Sequence, residues 1–135
     1  MESRPGDGVL TLAVILVLSG GGPLAAQAPP DSLPPGVTRQ LVEEGKRVFG
    51  GVGLCLACHG PEAKGGLGPD LTSGAWLHGS GTYDELVARV LKGVPMAEAK
   101  SGSMMPPRGG GDLSEAQIRA VAAYIWTVSR RKPPA

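Results

Sequence analysis

Residues 53–61 read GLCLACHGP and contain both cysteines of the chain, Cys55 and Cys58, with His59 directly after the second. Three chemistries use two thiols at this spacing. A C-x-x-C redox motif of the thioredoxin type expects a βαβ setting around it. A structural zinc site needs four Cys or His ligands, here Cys55, Cys58, His59 and the distant His78. C-x-x-C-H is also the signature of covalent haem attachment. Two thiols three residues apart on a tight turn can add to the two vinyl groups of one porphyrin, and the adjacent imidazole is then carried over the metal as an axial ligand. The surrounding chain has to decide among them.

Outward from the motif, three stretches carry helical periodicity. In residues 38–51, TRQLVEEGKRVFGG, Leu41, Gly45, Val48 and Phe49 share one face, with Thr38 as N-cap and Gly50-Gly51 as the stop. Gly45 lies within that face, where glycine costs about 1 kcal/mol against alanine, and so points to close approach of another backbone. In residues 82–93, TYDELVARVLKG, Thr82 and Glu85 form a capping box, Leu86, Val87, Val90 and Leu91 the stripe, and Gly93 the stop. Residues 114–132, SEAQIRAVAAYIWTVSRRK, repeat the pattern with a Ser114/Gln117 box and Ile118, Val121, Ala122 and Ile125 facing inward. Arg130, Arg131 and Lys132 complement that helix's C-terminus. No alternating strand or hairpin signal intervenes, so the fold class is all-α and the βαβ setting is missing.

Composition then poses a packing problem. Glycine and proline make up 35 of 135 residues and cluster between the helical stretches, while the whole chain has one Phe, two Tyr and two Trp. A domain of about a hundred residues has to bury well over half of the surface that its unfolded chain exposes. Three short helices with long loops fall short of that, so something other than side chains is expected at the centre. A covalently tethered haem would fill it.

The first thirty residues differ from the rest. VLTLAVILVL, residues 9–18, is apolar except for Thr11 and precedes an A-x-A-like site at Ala26, Gln27 and Ala28. The run is shorter than the roughly 20 residues a transmembrane helix needs. It reads as a signal peptide, residues 1–28, although Glu2 and Asp7 beside Arg4 deny the n-region its usual positive excess. Residues 29–37 are then a flexible N-terminal segment and residues 38–132 the folded domain. Cleavage after Ala28 leaves 12 basic and 10 acidic side chains. A nearly neutral surface without a basic stripe argues against nucleic-acid binding.

CLACH near the start of the mature chain, the GKRVF helix before it, GLGPDL after it, the MMPP loop and LSEAQIRAVAAYIW at the end resemble the class I c-type cytochromes. The resemblance covers nearly all of residues 37–130, in order. It implies a cytochrome c fold, three main helices with long Gly/Pro-rich loops around one covalently bound haem c. By the resemblance Cys55 and Cys58 carry the thioethers, His59 is the proximal ligand, and the Pro69 carbonyl accepts a hydrogen bond from the other ring nitrogen of His59. The distal ligand falls to a methionine of MMPP. Met105 is the choice, because Pro106 holds it extended and Met-Pro is the family's common form, with Met104 as the alternative.

His/Met ligation raises the haem potential and leaves no open position on iron. The resemblance therefore implies an exported, periplasmic one-electron carrier between larger redox partners (a dehydrogenase, reductase or oxidase), and not an enzyme. Membrane association would come only through partners or an uncleaved signal segment. The alternatives are a haem enzyme or gas sensor with an open sixth position, and a cytochrome subunit of a membrane dehydrogenase or oxidase complex. Elsewhere, Gly45, Phe49 and Tyr124 match the family's contact between first and last helices. Trp76 reads as core filling, Met96 as loop packing, His78 as a solvated loop residue, and Arg108 as facing a propionate or water. The glycines of 50–68 and 109–111 are expected to let backbone lie against a flat cofactor.

Overall fold

A single hydroxyl starts the first helix: Thr38 Oγ1 accepts from the Leu41 amide at 3.1 Å, which satisfies one of the free N–H groups of the opening turn. In the computed structural model, which describes residues 32–131, this helix, α1, runs Arg39–Gly50. α2 is one turn, Cys55–His59. α3 spans Tyr83–Lys92 and α4 Glu115–Val128. Short 3₁₀ turns lie at Pro61–Ala63, Met96–Glu98 and Pro107–Gly110. The expected signal peptide lies outside the described residues. Among the described residues the one β pairing is an isolated antiparallel bridge between Val94 and Met105, and the fold is all-α.

Both expected capping boxes form, Thr82 with Glu85 and Ser114 with Gln117. The helices they start pack on one another: α4 is the central element, with α1 and α3 both against it. Contact from two sides explains why α4 buries more than the four-residue stripe, adding Ala120, Ala123, Tyr124 and Val128 to Ile118, Val121, Ala122 and Ile125. It also ends earlier than its periodicity suggests. Ser129 caps it, donating its hydroxyl to the Trp126 carbonyl at 2.9 Å, and so answers one of the last turn's free carbonyls.

α1 and α4 touch at Gly45. A Cβ there would stand 1.9 Å from the Ala120 carbonyl oxygen and 2.9 Å from Tyr124 Cβ. One turn on, Phe49 meets Tyr124 edge to face, ring centroids 5.3 Å apart, the arrangement that the ring quadrupoles favour. Ahead of α1, Leu33 packs against the core and Val37 is buried. The glycines near the motif meet backbone: Gly109 faces the Gly53 carbonyl and Gly111 the Val52 carbonyl, at added-Cβ distances of 2.7 and 2.5 Å. These contacts seat the loop before α4 on the loop before α2.

Candidate functional site

The quoted motif folds into α2, entered from Leu54 in the left-handed region and left through Gly60, φ 56° and 72°. On one helical turn Cys55, Cys58 and His59 stand at i, i+3 and i+4, hence on one face. That is the physical meaning of the spacing. Cys55 and His59 are buried and Cys58 is half-buried, and all three line one cleft.

The two thiols are free. Burial pushes the Cys55 thiol up to about 11, against the opposing effect of its backbone hydrogen bond, so it is protonated at neutral pH. A redox-active C-x-x-C needs a thiolate of depressed pKa, which is the reverse. The zinc reading also loses its donors, since among the described residues no three His, Cys, Asp or Glu side chains come together as a metal group.

His59 Nδ1 lies 2.9 Å from the Pro69 carbonyl oxygen, as the resemblance implied. A carbonyl only accepts, so Nδ1 is the donor and Nε2 is the ring nitrogen left free of this bond. The bond fixes the orientation of the ring. Gly68 makes room for it, because a Cβ there would sit 3.0 Å from both Nδ1 and Cε1 of the imidazole.

The cleft these groups line takes in about 1150 Å³ of space, part of it open solvent. Leu86 and Val90 of α3 and Ile125 of α4 form part of its wall. Both methionines of MMPP reach it, but differently. Met105 is half-buried and packs on the core, whereas Met104 is 49% exposed. Met105 is also held by its backbone, its N–H donating to Val94 O at 2.9 Å and its carbonyl accepting from Val94 N–H at 2.8 Å.

These residues fit a covalently held haem. Two unpaired thiols and an imidazole held through Nδ1 line a mainly apolar cleft that also receives a thioether, and the cleft lies among the core side chains where the composition left a deficit. Haem iron takes those donors in c-type cytochromes.

Other residues depart from expectation. His78 is half-buried and lines the cleft, where a solvated position was expected. Met96 is 60% exposed. Arg108 donates to the Leu113 carbonyl. Trp76 is half-buried against the core and the cleft, with its indole lying on Gly81. Arg130 reaches past its helix end: its guanidinium lies 4.2 Å from the Trp126 ring centroid and donates to Gly81 O at 3.0 Å. This clasp ties the Trp76 loop to α4. Composition held no signal for it, nor for Val94 as the partner of Met105.

Comparison with known proteins agrees with the chemistry of the cleft. Residues 40–125 match the family model described as Cytochrome C oxidase, cbb3-type, subunit III. Among curated proteins the chain is 38% identical over 89 residues to the cbb3-type cytochrome c oxidase subunit CcoP of Rhodobacter capsulatus, covering 62% of this chain and 28% of that protein. It is 33% identical over 91 residues to CcoP of Rubrivivax gelatinosus, covering 67% and 27%. It is 37% identical over 89 residues to subunit FixP of a Bradyrhizobium species, covering 64% and 30%. The chain thus spans less than a third of the length of these relatives. No solved structure matches it. A C-x-x-C-H turn, a cleft open to a cofactor and a family match over most of the folded region converge: the chain belongs to the cbb3-type cytochrome c oxidase subunit III family and is a class I c-type cytochrome with one covalently bound haem c.

Proposed function

We propose that this cytochrome acts on the exported side of the cell as the electron-donating subunit of a cbb3-type oxidase complex. In it Cys55 and Cys58 would hold the haem by thioether bonds, and His59 and Met105 would ligate its iron. When bound, haem c supplies a one-electron Fe(II)/Fe(III) couple. The rest of the mechanism is positional. Pro69 holds the His59 ring through Nδ1 and leaves Nε2 free to bind, while the Val94 backbone holds the Met105 segment. Leu86, Val90 and Ile125 line one side of the cleft with apolar carbon, which would limit the solvent reorganisation that accompanies electron exchange there. With His and Met both engaged no position is left for oxygen, which favours passing electrons over reducing oxygen here.

The observation that carries the ligand reading is the doubly hydrogen-bonded, core-packed Met105 in the cleft that His59 lines. The oxidase context is supported by the names of the CcoP and FixP relatives. The optical spectrum of the oxidised protein tests the ligands: an iron–sulfur charge-transfer band is expected, lost in Met105→Ala and kept in Met104→Ala. Ready carbon monoxide binding by the reduced wild-type protein would contradict it. Affinity purification of the full chain from its own membranes tests the context, with oxidase subunits expected to co-purify. Recovery of the chain alone would return it to a diffusible carrier.

A further inference from the structure

We propose that Gly93, together with the Val94–Met105 bridge, is the positioning device that selects Met105 over Met104 as the methionine offered to the cleft His59 lines; the inference rests on the ligand reading above.

Gly93 closes α3 with φ 69° and ψ −162°, a conformation essentially confined to glycine. Conformation is only half of its role. The residue is buried, and a Cβ on it would stand 2.3 Å from the Met105 carbonyl oxygen and 2.8 Å from both Pro106 C and Pro107 N. All three are backbone atoms of MMPP, so no side-chain rotation can relieve the clash. The MMPP segment lies directly on the glycine.

The next residue sets the register. Val94 and Met105 exchange both backbone hydrogen bonds, at 2.8 and 2.9 Å, as a hydrogen-bonded antiparallel pair does. Successive side chains of an extended segment point to opposite sides, and a slip of one residue exchanges them. With Met105 opposite Val94, Met105 turns to the core and Met104 outward, half exposed. Pro106 adds its restriction on Met105 to extended backbone, and is itself extended at φ −66° and ψ 151°. Two thioethers of equal chemistry are therefore distinguished by one pair of backbone bonds and by the absence of one carbon.

The test uses the haem-loaded protein and three variants. Gly93→Ala adds both the backbone penalty and the clash. Gly102→Ala, in the same loop at φ +82° with nothing within 4 Å of an added Cβ, adds the penalty alone. Met105→Ala reports the ligand itself. Gly93→Ala is expected to keep its covalent haem but lose at least nine-tenths of the charge-transfer band at neutral pH. Its midpoint potential should fall, by about 59 mV for each tenfold loss of the ligand's preference for ferrous iron. Gly102→Ala should match the wild type. A Gly93→Ala protein with the wild-type band and potential would overturn the proposal, as would equal loss in Gly102→Ala. Retention of the band in Met105→Ala would overturn the ligand reading instead, whatever Gly93→Ala does. If Gly93→Ala does not accumulate, amide exchange on the wild-type holoprotein decides: Val94 and Met105 N–H, which are paired, are expected to exchange at least a hundredfold more slowly than Ser103 N–H in the same loop. Equal rates would overturn the bridge.

Discussion

Two neighbours set the His59 ring. The Pro69 carbonyl accepts from its Nδ1 and the missing side chain of Gly68 gives the ring its place. A methyl group at residue 68 would have to push the imidazole by a few tenths of an ångström or bend the Pro69 loop. Contacts of this kind typically govern metal affinity by about 10–100-fold. Gly68→Ala is accordingly expected to weaken His59 ligation by about tenfold, raising by about one unit the pH at which the low-spin spectrum is lost on acid titration of the holoprotein. An unchanged acid midpoint would show that the loop yields at no cost. The Pro69 bond was legible in the sequence through GLGPDL. The crowding at Gly68 was not, because it depends on where the ten-residue return from His59 to Pro69 places the backbone.

At the scale of elements, helix ends were the most legible feature. Thr38, Thr82 and Ser114 all cap as their spacing implies, since capping involves only residues three apart. The Thr82 box also carries a pH dependence. Glu85 accepts from the Thr82 amide and from the hydroxyl and amide of Ser80, and these bonds, the Thr82 amide first, hold its carboxyl down to about 2 from an ordinary 4.5. A depressed folded-state pKa means stabilisation that is complete above about pH 4.5 and is lost as pH falls toward about 2. Glu85→Gln should therefore flatten the acid limb of the melting temperature between those values, its loss being greatest on the neutral plateau and fading toward pH 2. A limb of wild-type steepness would assign acid sensitivity to other groups.

The crossing of α1 and α4 offers a sharper test at the same scale. Alanine at residue 45 gains about 1 kcal/mol of helix propensity. Against that stands a Cβ 1.9 Å from the Ala120 carbonyl oxygen, beyond the ordinary overpacking that costs typically 1–3 kcal/mol. Sterics win. Gly45→Ala is expected to lose at least about 3 kcal/mol, which for a domain near a hundred residues lowers the melting temperature by more than about 10 °C. Gly50→Ala, in the same helix with nothing within 4 Å of an added Cβ, should change it by less than a third of that.

For the whole molecule, a deficit in the sequence anticipated a centre that side chains do not fill. Leu113, Ile118, Val48 and Val121 are the largest fully buried side chains, and a cleft opens where larger ones would otherwise meet. What the sequence left hidden are the ties between distant loops. Arg130 on Gly81 joins residues 49 apart, and Val94 on Met105 joins the end of α3 to the loop before α4. Neither has a local motif, because each is defined by the packing of the helices between. Covalent attachment of one haem through Cys55 and Cys58 is read from the intact mass of the exported protein under denaturing conditions. One haem is expected on every molecule, remaining after acid–acetone extraction, and none that survives extraction in a Cys55→Ser, Cys58→Ser double variant. A wild-type protein of bare polypeptide mass after extraction, or a double variant that retains the added haem, would contradict it.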